Sequence, residues 1–139
     1  MSRSGYSDEG DGWAEIRWRG AVKAAIRGQR GQRTLREMLA ALDAMPHKVL
    51  AADSLVTAGG EYCALGVLGA QRGVELDTLD PEDYDGVAAA FGVAPALVRE
   101  IVFENDEGGI LKETPKARWH RMREWVWSRI EESTTCPPA

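Results

Sequence analysis

Cys63, His47, His120 and the run Asn105-Asp106-Glu107 are the residues whose types can support bond chemistry or metal binding. A cysteine beside a histidine is a nucleophile with its base. Cys63, however, sits between Tyr62 and Ala64 in an apolar run and reads as a small core residue. His47 follows Pro46, and His120 falls on the last predicted helix; neither has a cysteine or a second histidine at zinc-ligand spacing, so both read as surface residues. Asn105 and Asp106 come at the end of a predicted helix, where the helix dipole disfavours carboxylates, so a specific contact must compensate. They read as a structural hydrogen-bond hub, with a held cation as the other possibility and Arg118 or Arg121 as partners. No phosphate-binding loop of the Gly-x4-Gly-Lys-Ser/Thr type occurs. These residues predict no catalytic group, no metal ligand and no cofactor site, and the chain is not read as an enzyme.

Charge is the stronger signal. From Arg17 to Arg36 there are seven basic residues and no acid, whereas from Glu75 to Glu107 ten acids stand against Arg99 alone, in a chain of net charge -5. A field this polarised selects partners without specifying a fold. The basic face comprises Arg17, Lys23, Arg27, Arg30 and Arg33, able to follow a phosphate backbone, with Trp18 able to stack a base. The acidic face comprises Glu82, Asp83 and Asp85, able to imitate nucleic-acid charge against a basic groove. The bland alternative is a solvated basic surface lying next to an acidic one, in this chain or in a second copy. Trp125 and Trp127 cannot both share the inner face of the last helix with Val126, which leaves Trp127 as an exposed anchor for a partner.

One stretch has the pattern of a helix-turn-helix: Ala88 four residues before Gly92, with Val87, Phe91, Val93, Val98 and Ile101 in the apolar positions. Its would-be recognition helix offers Arg99 together with Glu100 and Glu104, and glutamates repel phosphates.

The elements that must position these groups follow from hydrophobic spacing. With 139 residues, 44% hydrophobic and 28% charged, the chain suits one soluble domain, and no run is apolar enough for a membrane span. The prediction is a mainly α (α+β) fold, about six helices packed as one compact domain with a small two-stranded β-hairpin, spanning residues 12–132 between disordered tails at 1–11 and 133–139. Asp11 caps the first helix, whose apolar side is Trp13, Ile16, Ala21, Ala24 and Ala25. After a turn at Gly28-Gln29-Arg30-Gly31, Leu35, Met38, Leu39, Leu42 and Met45 mark a core-facing helix that ends at Pro46. Val49 to Val56, the Ala58-Gly59-Gly60 turn and Tyr62-Cys63 read as the hairpin. A small-residue helix follows from Cys63 to Gln71. Asp80 caps the next, with Pro81 at its first position, running to Phe91. The last two start at Ala94-Pro95 and Thr114-Pro115. Cys136 falls in the C-terminal tail, so a disulfide to Cys63 is not expected, and the chain is read as cytoplasmic.

Arg30-Gly31-Gln32, Leu42-Asp43-Ala44-Met45-Pro46, Cys63-Ala64-Leu65-Gly66, Arg72-Gly73, Leu79-Asp80-Pro81-Glu82-Asp83, Phe91-Gly92, Asn105-Asp106-Glu107 and Glu113-Thr114-Pro115 with Trp119 together resemble a family of small uncharacterised proteins from bacteriophages and prophages. The likeness spans nearly the whole chain after the first dozen residues and implies origin and context, with no activity or catalytic residue attached. By analogy with small phage accessory proteins, the expected role is non-catalytic: binding and inhibiting a host protein or a defence ribonucleoprotein such as a CRISPR complex. Two further readings are a helix-turn-helix DNA-binding regulator and a nucleotide- or RNA-binding protein acting through the basic helix pair.

Overall fold

The computed structural model describes residues 12–110 and 112–131, and side chains from residue 16 onward. Both predicted tails, and Cys136 with them, lie outside the described residues. Within them are six α-helices: α1 (Gly12–Arg27), α2 (Gln29–Ala44), α3 (Ala64–Gln71), α4 (Tyr84–Phe91), α5 (Pro95–Glu107) and α6 (Pro115–Arg129), with a 3-10 turn at Leu76–Thr78. No single helix among the described residues is long and apolar enough to cross a membrane.

The core forms where α3 and α5 are enclosed. α5 lies against α1, α3, α4 and α6, and α2 lies against α1, α3 and α6. Leu97, Val98, Ile101, Val102 and Asn105 of α5 are all buried, a spacing of three and four that puts them on one side of the helix. α3 buries every residue from Ala64 to Gly69, which its small side chains permit. A Cβ at Gly66 would collide with the Leu55 carbonyl oxygen, so glycine is what lets the loop before α3 lie directly on the helix. The same holds at Gly31, where a Cβ would collide with the Ala25 carbonyl. The turn predicted over Gly28 to Gly31 therefore narrows to Gly28 alone, an extended residue (φ -61°, ψ 157°) between two helices in close contact.

Three expectations are corrected. The β-hairpin is absent among the described residues, and residues 49–63 contain one antiparallel bridge, Val56 with Tyr62. Bonds across this stretch, Ala51 N–H to Tyr62 O at 2.8 Å, Thr57 N–H to Glu61 O at 2.8 Å and Cys63 N–H to Leu55 O at 3.2 Å, do not extend into a ladder, and other backbone groups of the stretch are claimed from elsewhere. The Leu50 carbonyl accepts from Arg118 and the Ala51 carbonyl from Asn105, while Asp53 takes a left-handed φ of 64° and donates its N–H to Asp106. A chain bent to meet those side chains cannot run as a strand.

The second correction concerns α4, which starts at Tyr84 rather than beyond Asp80. Asp80 and Asp83 compete for the capping role, and Asp83 holds it, its Oδ1 accepting from Gly86 N at 3.1 Å. Asp80 to Asp83 instead close a turn through Asp83 N to Asp80 O at 3.0 Å. Third, α1 is rotated from its predicted face. Ile16, Ala21 and Ala24 are exposed, and Trp18, Val22, Ala25 and Ile26 turn inward, because α1 is held to α5 through Trp18. The side chain of Trp13 lies outside the described residues.

Candidate binding surface

The cations of α1 and α2 divide by what they meet. Arg27 pairs with Glu131 at 3.5 Å, and Arg36 Nη2 donates to the Glu131 carbonyl at 2.9 Å, so both help fasten the end of α6. Gln32 completes that attachment, donating to the carbonyls of Ile26 and Arg129 and accepting from Glu131 N. Arg17, Lys23, Arg30 and Arg33 are exposed, and among the described residues no carboxylate lies within ion-pair distance of them. Trp18 is half-buried against Arg99, whose guanidinium lies 5.1 Å from the Trp18 ring and 4.9 Å from that of Tyr84.

The stacked Arg99 also bears on the helix-turn-helix pattern. α4 and α5 cross at 107° through Gly92 (φ 69°), an angle suited to such a unit. Yet α1 covers the helix that would enter a groove, and within α5 the exposed residues are Pro95 and Glu107 at its two ends. On the acidic side, Glu82, Asp83 and Asp85 are exposed, with Asp83 committed to capping α4.

Asn105 is fully buried at the heart of a polar joint. Its Oδ1 accepts from Ala64 N at 3.0 Å, and its Nδ2 donates to Ala51 O at 2.9 Å and to Asp106 Oδ1 at 2.8 Å. One side chain thereby ties the end of α5 to the start of α3 and to the loop that precedes it. Arg121 caps the same end of α5, donating to Glu104 O at 2.6 Å and Asn105 O at 3.2 Å while gripping Glu113 through two bonds of 2.6 and 2.9 Å. Arg118 donates to Leu50 O at 2.9 Å and Glu113 O at 3.3 Å.

The two carboxylates here are pushed in opposite directions. Glu113 is held below the usual carboxylate range by the hydrogen bonds from Arg121, against burial, with the charges of Arg121 and Arg118 adding to the effect. Glu104 is raised by burial, which outweighs the charges of Arg121 and Arg129.

Cys63 is 1% exposed and acts as the cap of α3, its Sγ accepting from Gly66 N at 3.3 Å, whereas His47 and His120 are exposed. Among the described residues, no group of three His, Cys, Asp or Glu side chains is placed to hold a metal ion.

No family model matches this chain, and neither a curated protein nor a solved structure matches it significantly. What the surface can do is therefore read from its own geometry. Of the two tryptophans in question, Trp125 is buried and Trp127 is 62% exposed. Sequence reasoning placed Trp127 at the surface without locating its surroundings. Trp127 follows Arg123 by one turn of α6, and Arg123 is bound to Asp43 of α2.

Proposed function

We propose that this chain is a phage- or prophage-encoded accessory protein that works by binding, without bond chemistry of its own, and that it meets an anionic partner with the cationic face of α1 and α2. One observation carries this reading. Outside that stretch, Arg72, Arg99, Arg118, Arg121, Arg123 and Arg129 are each engaged by a carboxylate, a carbonyl or an aromatic ring of the fold. Arg17, Lys23, Arg30 and Arg33 are left facing solvent in a chain that has an excess of acids. Aligned cations without internal partners repel one another and gain from an external polyanion. A host protein with an acidic surface and a defence ribonucleoprotein both present one.

The test is capture from the bacterial host by the tagged protein, with and without nuclease, beside an Arg30→Glu/Arg33→Glu variant. Arg30 and Arg33 are chosen because reversing Arg27 would also disturb Glu131. A stoichiometric partner that is lost on reversal supports the reading. A partner held equally by the variant, and lost instead on neutralising Glu82 and Asp85, moves the interface to the acidic side.

A further inference from the structure

The fold lays the end of α6, which carries the exposed Trp127, against α2. α2 and α6 run antiparallel, and two polar rungs fix their register. At one, Arg123 of α6 forks onto Asp43 of α2 at 2.6 and 3.1 Å, holding the Asp43 carboxyl below its usual range through that hydrogen bond. At the other, Arg36 of α2 reaches the carbonyl of Glu131, 95 positions away in sequence, at 2.9 Å. Trp127 is one helical turn after Arg123, and Glu131 follows it by four residues, past the end of α6 at Arg129 and the extended Ile130. The matching place on α2, between Arg36 and Asp43, belongs to Ala40, whose methyl is too small to cover an indole. Arg33, exposed, precedes Arg36 by a turn on the same side of α2. This register puts the position of the exposed Trp127 along the same seam as Arg33 and Arg36, and Arg36 retains further N–H donors beyond the one given to Glu131.

We propose that Trp127, Arg33 and Arg36 form a binding site for single-stranded nucleic acid, the indole stacking on a base and the guanidiniums meeting the phosphates on either side. The proposal rests on the reading of the α1–α2 face as the binding surface and names what that surface takes. A strand offers an open π-face and regularly spaced anions, the two features this seam complements. A duplex keeps its base faces stacked and offers only the second. A protein partner would favour an indole set in an apolar patch with a polar rim. The other exposed large apolar side chains among the described residues, Ile16 and Ile110, lie on α1 and in the loop before α6. The Glu131 carboxylate is directed at Arg27, 3.5 Å away.

The test is fluorescence anisotropy with fluorescein-labelled oligothymidylate and oligouridylate, and with the same oligothymidylate annealed to its complement, over a salt series. Single strands should bind at least several-fold more tightly than the duplex. Trp127→Ala should weaken strand binding on the order of tenfold, with Trp127→Phe retaining most of it. Arg33→Gln, which leaves the Arg36 bond to Glu131 intact, should weaken it and flatten the salt dependence by about 0.7 in log–log slope per lost phosphate contact. Equal affinity for strand and duplex, indifference to Trp127→Ala, or no binding at low salt overturns the proposal. If no oligonucleotide binds while Arg30→Glu/Arg33→Glu still abolishes capture of a nuclease-resistant host protein, the strand site is wrong and the cationic face stands as a protein-binding surface. If the reversal changes neither assay, both readings fall.

Discussion

The α5–α6 joint and the α1–α2 face use the same residue type in opposite ways. At the joint, Arg121 and Arg118 donate to the carbonyls of Glu104, Asn105 and Leu50 and share Glu113, so the guanidiniums replace hydrogen bonds that a helix end and a loop would otherwise lack. On the face, Arg17, Arg30 and Arg33 have no such work, and their side chains stay in water. The difference teaches that local charge density is a poor guide to role. The joint is nearly balanced in charge and holds the fold together, whereas the strongly charged segment leaves most of its cations available to a partner.

The comparison breaks most severely at Asn105. Asn105→Ala strands the buried Ala64 N–H and Ala51 carbonyl and opens a void, and should cost about 3–5 kcal/mol in chemical denaturation. That is a large part of the roughly 5–15 kcal/mol that holds an ordinary domain folded.

Next in size is Glu113→Gln, which removes the charged half of the Arg121 fork and should cost about 1–2 kcal/mol at neutral pH once solvent screening is allowed for. Its sign with pH is fixed. Because the folded pKa of Glu113 is lowered, its stabilisation is present above the unfolded value near ~4.3 and fades as pH falls through the folded value. Denaturation midpoints of wild type and variant should therefore converge in acid. Glu104 carries the opposite sign: its raised pKa means that ionisation opposes folding, so stability contributed by the neutral form is lost as pH rises through the folded value. Glu104→Gln should leave the protein slightly more stable than wild type at neutral pH, a gain that disappears below the ordinary carboxylate range.

The smallest stability effect belongs to the face. Arg30→Glu/Arg33→Glu should change unfolding free energy by no more than about 0.5 kcal/mol per site while removing partner capture. A loss of stability comparable to that of Asn105→Ala would mean that the face, too, is structural, and the contrast drawn between the two regions would fail.

Much of the helical plan was legible because its signals are local. The Leu35, Met38 and Leu42 stripe, the Thr114-Pro115 start with Thr114 Oγ1 accepting from Ala117 N at 3.1 Å, and the stop at Gly92 all depend on neighbours within one turn. The hairpin was misread because the side chains that take the Leu50 and Ala51 carbonyls and the Asp53 N–H belong to Arg118, Asn105 and Asp106, which no window around residue 50 contains. The inward side of α1 was misread because alanines at helical spacing look apolar wherever they point. The Arg99 guanidinium between Trp18 and Tyr84, with the buried Val22, marks the side that turns inward.

Six helices, their approximate breaks and a charge pattern with one basic stretch and one acidic stretch were legible in the chain, since propensity and net charge are properties of adjacent residues, whereas the cap of α4 fell at Asp83 rather than Asp80. That Asn105 joins α5 to α3, that the arginines of the joint are engaged while Arg17, Arg30 and Arg33 face solvent, and that the end of α6 is fastened to α2 through Arg36 and Arg123 follow only from the tertiary structure. Those outcomes depend on hydrogen bonds and packing between residues far apart in the chain, and such pairs are chosen by how the helices fit together rather than by what lies next to each residue.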